Sequence, residues 1–261
     1  MSLDNALWLA GVVSEAAVVG LLLYRRVWRT LPIFFVYCAW DLLVNVAGIL
    51  VFRFFPAIYL AVYLANLVVD SALEFGVLIE LAWSVLRPFR ASLPRGAVVA
   101  VAGLVIALGT AIWPFAAIPG FGNLPPEFHL LMRLMQTTSI LRILFFLALA
   151  GCSQLLSIGW RDRELQVASG LGFYSLVSLA VAMLHTHQNM GPLYSHLQQV
   201  VVASYICSLL YWAVSFSQKE AVRREFSPQM QSLLLSVAGT ARAARTALAD
   251  SAVAKDRKSG E

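Results

Sequence analysis

Residues 57–86, AIYLAVYLANLVVDSALEFGVLIELAWSVL, hold only three charged side chains, Asp70, Glu74 and Glu80. A helix of about 20 apolar residues crosses about 30 Å of hydrocarbon, so this stretch reads as a membrane span. At 100° per residue, Tyr59, Tyr63, Asn66, Asp70, Glu74, Glu80 and Ser84 fall within an arc of about 120°. A polar stripe of that length is incompatible with a lipid-facing surface, so the helix is expected to turn it toward other helices.

Apolar stretches recur on both sides of this segment. With it they make seven spans, at about 6–24, 31–52, 57–86, 96–118, 129–157, 167–186 and 197–216. Across 261 residues the chain is 60% hydrophobic and 13% charged, with a mean hydropathy of +0.76, which excludes an ordinary soluble domain. Nine of the ten prolines fall at span ends or in connections, where a missing N–H is harmless, and Pro114 lies near the end of the fourth span. The segment Met1-Ser2-Leu3-Asp4-Asn5 carries no positive charge and no small-residue cleavage pattern follows it, so the first span is expected to be retained rather than removed as a signal.

The arginines orient the bundle. Arg25, Arg26, Arg29, Arg87, Arg90, Arg95, Arg161 and Arg163 lie in the first, third and fifth connections, against Arg53 alone on the other side, and eight more Lys and Arg occur from Lys219 onward. Positive loops stay in the cytoplasm, so the expectation is a seven-helix all-α bundle with the N-terminus out and the C-terminus in, in a bacterial inner membrane. The net charge of +5 is then topological: dispersed membrane-proximal arginines meet anionic lipid and do not imply nucleic-acid binding. Trp8, Tyr59, Tyr63, Trp113 and Tyr194 mark the outer interface and Trp28, Trp83, Trp160, Tyr211 and Trp212 the inner one. Residues 1–218 form the membrane domain. Within 219–261, Ser227-Pro228 opens an amphipathic cytoplasmic helix with an apolar stripe through Met230, Leu233, Leu234, Val237 and Leu248, suited to the membrane surface or a protein partner, and the end of the chain is expected to be disordered.

Other spans carry polar faces too: Gln136, Ser139, Arg142, Ser153 and Gln154 on the fifth, Tyr174, Ser178 and His185 on the sixth, and Ser204, Ser208, Tyr211 and Ser215 on the seventh. The fourth has almost none and is expected on the outside, with the third, fifth, sixth and seventh around a polar interior. Asp70 and Arg142 lie at equal depth, where a lone charge costs about 2.5 to 3.5 kcal/mol, and are expected to pair. Glu15, Asp41, Asp70, Glu74 and Glu80 outnumber Arg133 and Arg142, so some of these carboxyls are expected to be protonated, hydrated or cation-bound. Asn66, Asp70, Glu74, Glu80, Gln136, Arg142, Glu15 and Asp41 are therefore the candidate site. One reading is a proton or cation pathway or a polar ligand cavity; the other is a static ion-pair network that holds the helices in register.

His129, His185, His187 and His196 cluster at the expected outer mouth, as ordinary interfacial residues or as an outer metal or pH-sensing site. His185 and His187 cannot share one face of a helix. Cys38, Cys152 and Cys207 read as small buried hydrophobes. No lysine lies in a span, which excludes a retinal Schiff base, and no hydrolase, zinc, thiol-redox or phosphate-loop motif occurs. No enzyme activity and no cofactor are expected.

The stretches LPIFFVY (31–37), LAWSVLRPF (81–89) and GWRDRELQVASGLGFY (159–174) resemble a group of uncharacterised bacterial seven-helix integral membrane proteins over helices two to six. That resemblance implies the bundle and transfers no functional residue. Two functions are carried forward: a receptor-like sensory or signal-relay module with a polar intramembrane cavity, and a proton- or cation-coupled small-solute transporter using the carboxylates of the third helix. An intramembrane enzyme or haem protein ranks third.

Overall fold

The computed structural model of the chain describes residues 3–55, 58–86, 96–116, 126–151, 162–187 and 193–218. Among these residues the regular structure is helical throughout: α1 (Leu3–Tyr24), α2 (Pro32–Phe54), α3 (Tyr59–Val85), α4 (Ala97–Ile112), α5 (Pro126–Gly151), α6 (Arg163–His187) and α7 (Leu193–Ser217), with 3₁₀ turns at Val27–Arg29 and Trp113–Ala116. Seven helical segments are long and apolar enough to cross a membrane, α4 when its 3₁₀ turn is included, and the chain is compatible with a multi-pass membrane protein. The amphipathic segment expected beyond Lys219, and Cys152, lie outside the described residues.

Local chemistry sets the helix ends. Pro32 starts α2 and Pro126 starts α5, both at a position where a helix has no use for the N–H that proline lacks. Hydropathy alone places the start of α6 four residues late, because Arg163 and Glu164 are charged; Glu164 belongs in the first turn, where an acid complements the helix dipole. Pro114 ends α4 before residue 118 by breaking its hydrogen-bond ladder, and the chain continues as the 3₁₀ turn. Arg26, in the left-handed region at φ 57°, closes α1.

Side-chain links reveal the order of the helices. Ile33 meets Glu80, so α2 and α3 are antiparallel; Tyr205 meets Glu15 and Arg25 donates to the Ser217 carbonyl, so α1 and α7 run parallel. The helices form a ring in the order α1, α2, α3, α5, α6, α7, which closes where α7 packs on α1. α4 stands outside this ring against α3 and α5, with Val99, Leu104 and Ile106 exposed. The polar interior therefore includes α1 and α2 as well as the four helices expected to line it.

The buried apolar side chains are distributed unevenly. Val18 and Leu22 of α1, Phe34 of α2, Val77 and Leu81 of α3, Leu165 and Leu171 of α6, and Leu209, Trp212 and Phe216 of α7 belong to one cluster. All lie in the halves of their helices nearest the end of α1. Phe34 packs edge-on against Trp212 at 5.1 Å between ring centroids, so Trp212 is a core residue and not part of an interfacial belt. Lipid tails are as apolar as leucine, so close packing rather than hydrophobic burial must hold such a cluster together. Glycines supply the close approach: a Cβ on Gly170 would lie 2.3 Å from Trp212 Nε1, and one on Gly172 would lie 2.8 Å from Phe146 Cβ.

Candidate functional site

Where the apolar cluster stops, at the middle of the helices, a layer of polar side chains begins. Glu74 of α3 and Arg142 of α5 form an ion pair, Oε1 to Nη1 at 2.8 Å, with both side chains buried. Arg142 Nη2 also donates to Ser139 Oγ at 3.3 Å, and the guanidinium lies 5.6 Å from the centre of the Tyr174 ring, within cation–π range. Arg142 thus pairs with Glu74 instead of the expected Asp70. The two acids are one turn apart on one face of α3.

Asp70 lies beside Asp41 of α2, and Tyr37 stands one turn before Asp41 on the same helix. Beyond Asp41 stands Tyr205 of α7, its hydroxyl 3.4 Å from Asp41 Oδ2 and donating at 2.9 Å to Glu15 Oε1 of α1. Asn45 Nδ2 donates to the same Glu15 oxygen at 2.6 Å. Edge-on contact between Tyr174 and Tyr205, at 5.5 Å, closes the circuit between α6 and α7. One polar layer therefore joins all six helices of the ring.

This layer sets four carboxyl groups, Glu15, Asp41, Asp70 and Glu74, against the single guanidinium of Arg142. It needs three further positive charges, as protons or cations, to reach neutrality. Glu15 Oε2, Asp70 Oδ1 and Arg142 Nε are buried without a hydrogen-bond partner among the described residues.

The other expected site residues separate from this layer. Glu80 accepts the backbone N–H groups of Ile33 and Phe34, each at 2.8 Å; α2 begins after Leu31, which has no side chain able to cap it, and the carboxylate of α3 caps it instead. Asn66 accepts from Trp40 Nε1 at 2.8 Å, above the layer toward the start of α3. Gln136 is buried on α5. Tyr59 and Tyr63, stacked at 6.4 Å, are exposed at the start of α3, so the inward stripe begins at Asn66. His196 is exposed on α7, and the side chains of His129, His185 and His187 lie outside the described part of the structure. Among the described residues no group of three or more His, Cys, Asp or Glu side chains is arranged to hold a metal ion. Cys38 is buried, whereas Cys207 is exposed on α7 and is no core residue.

Three members of the layer, Tyr37, Asn45 and Tyr205, are absent from the candidate site expected from the sequence. Tyr37 and Asn45 flank Asp41 at four-residue spacing on one face of α2, a signal present in the sequence. Tyr205 neighbours Ser204 but belongs to a different arc of α7, and only the closure of the ring gives it a role.

The layer communicates with a cavity of about 500 Å³ between the first halves of α1 and α7. Leu7, Trp8 and Val12 form one wall, Gln198 and Val202 the other, and Glu15, Asn45 and Tyr205 its inner end. A second cavity of about 450 Å³, between α3, α4 and α5, is lined chiefly by apolar groups such as Phe75, Ile106, Trp113 and Leu134 and does not include the acids. No protein-family model matches the chain, and no curated protein and no solved structure matches it.

Proposed function

We propose that the chain is a receptor-like signal-relay protein, which senses a ligand at the face where α1 begins and transmits its occupancy through the polar layer. The observation that carries this reading is the Tyr205 hydroxyl, 2.9 Å from Glu15 and 3.4 Å from Asp41. A phenol has one proton to donate. When a ligand engages Glu15 in the cavity wall and draws the carboxyl toward itself, the bond from Tyr205 to Oε1 breaks, Tyr205 is released to donate to Asp41, and Asp70 and the Glu74–Arg142 pair beyond it must adjust. The switch is a local change in hydrogen bonding that biases contacts across six helices. Below the layer lies the buried apolar cluster around Phe34, Leu81 and Trp212, surroundings that suit a relay better than a conduit.

In this reading the cavity opens outward, the C-terminal segment from Lys219 faces the cytoplasm of a bacterial cell and engages a protein partner there, and the chain catalyses no reaction. A topology reporter fused after Glu261 is active only in the cytoplasm if this orientation holds; periplasmic activity reverses it.

The second reading, a proton-coupled small-solute transporter, is favoured by the closeness of Asp41 and Asp70, since two neighbouring buried carboxyls repel unless one of them holds a proton. Proteoliposomes under an imposed proton gradient separate the two. The relay gives no coupled flux, yet an acid pulse at the cavity face changes the carboxyl stretching bands in infrared difference spectra, and Tyr205→Phe loses that change. Solute flux driven by the gradient overturns the relay in favour of transport.

A further inference from the structure

Resting on the relay reading, we propose that the cavity between α1 and α7 is a binding site for a small organic cation, a protonated amine on an apolar body. Its volume of about 500 Å³ falls in the range of sites for small organic molecules. Leu7, Val12 and Val202 give it apolar walls, and none of its lining residues is a lysine, arginine or histidine. Glu15 supplies its one carboxyl group, 2% exposed.

The hydrogen bonds of Glu15 are divided unequally. Oε1 takes two donors, Asn45 Nδ2 at 2.6 Å and the Tyr205 hydroxyl at 2.9 Å. Oε2 is buried and has no donor. A buried carboxylate with an unused acceptor and no basic neighbour in its cavity is stabilised most by a group that brings both a positive charge and an N–H. An ammonium does both, an alcohol brings only the donor, and an anion is repelled. Trp8 and Tyr205, also in the lining, add aromatic rings, a residue type whose π-system attracts cations. The same chemistry is offered by a free amine and by the headgroup of phosphatidylethanolamine.

Three probes of one shape separate these contributions: 2-phenylethylammonium, 2-phenylethanol and 3-phenylpropanoate. Each is titrated into the full chain in nanodiscs of phosphatidylglycerol, with empty nanodiscs as the blank. The cation is expected to bind saturably and at least about tenfold more tightly than either of the others, a difference of about 1.4 kcal/mol. Glu15→Gln is expected to erase that preference. Because Glu15→Gln can disturb folding, Gly11→Leu is the second variant: Gly11 lines the cavity, and a Cβ there meets nothing within 4 Å. Its larger side chain fills the cavity and lowers affinity for the cation at least about tenfold while Glu15 stays intact.

Adding phosphatidylethanolamine to the nanodiscs identifies the source. Weakened binding of the probe points to the lipid headgroup, and unchanged binding to a free amine; both uphold the class of ligand. Equal affinity for the cation and the alcohol overturns it, as does wild-type affinity in Gly11→Leu or the absence of saturable binding by all three probes. Gradient-driven flux together with cation preference removes the relay and leaves the ligand class standing, whereas an infrared relay signal without cation preference removes the ligand class alone.

Discussion

Arg142 of α5 and Glu74 of α3 meet at 2.8 Å with 5% and 8% of their side chains exposed, which makes their ion pair a fixed point of the polar layer. Removing one member of a buried pair leaves the other uncompensated, at a cost of about 3 to 5 kcal/mol. Glu74→Gln and Arg142→Met are each expected to lower stability by about 3 kcal/mol in detergent or nanodiscs, as measured by chemical unfolding. The double variant, which leaves no orphaned charge, is expected to lose less than either single one. Additive losses would show that the two side chains are not coupled.

Asp70 makes the cleaner functional test, because it is a member of no ion pair. Its Oδ1 is buried without a hydrogen bond and Arg142 makes its ion pair with Glu74, so Asp70→Asn keeps the shape of the side chain and removes a carboxyl that no ion pair holds. Helicity and unfolding temperature are expected to hold near those of the wild type, while the infrared response to an acid pulse disappears. Loss of stability with the response intact would assign Asp70 to the scaffold.

Much of this layer was legible in the sequence, and the rest was not for identifiable reasons. The stripe on α3 shows at helical period, and Asp70 and Glu74 do turn inward. Depth counting could not tell which acid meets Arg142, since the two are a single turn of about 5.4 Å apart. Glu80 shares their arc, yet its partners are backbone N–H groups of α2, which carry no side-chain signature. Tyr205 acts on Glu15 across 190 residues of sequence, a contact that exists only because α7 returns beside α1. Hydropathy finds each helix singly; the order of the helices around the ring decides which polar faces meet.

Glu80 yields a prediction of the opposite kind to Asp70. Helix α2 depends on it for two N-terminal donors, and loss of a cap costs about 1 to 2 kcal/mol. Glu80→Ala is expected to lose that much stability, and Glu80→Gln, which keeps one acceptor oxygen, about half as much. Neither change is expected to alter the infrared response, because Glu80 lies apart from the layer. A variant that unfolds normally but loses the response would move Glu80 from cap to relay.

Gly170 tests the packing beneath the layer. A methyl group there would collide with Trp212 at Nε1, Cε2 and Cζ2, the ring whose Nε1 donates to the Gln166 carbonyl at 3.1 Å. Either the indole moves and that bond breaks, or α6 and α7 separate and the bond from Ser208 Oγ to the Gly170 carbonyl, now 3.0 Å, lengthens as well. Overpacking of this kind costs about 1 to 3 kcal/mol, so Gly170→Ala is expected to lower the unfolding midpoint by that amount. Trp212→Phe in the same background, which withdraws the colliding atoms, is expected to restore part of it. Gly103 on α4, with nothing within 4 Å of an added Cβ, is the control: Gly103→Ala is expected to be neutral or slightly stabilising, since alanine favours the helix by about 1 kcal/mol. Equal gains at the two glycines would mean that helix propensity, and not the close approach of α6 to α7, sets the response.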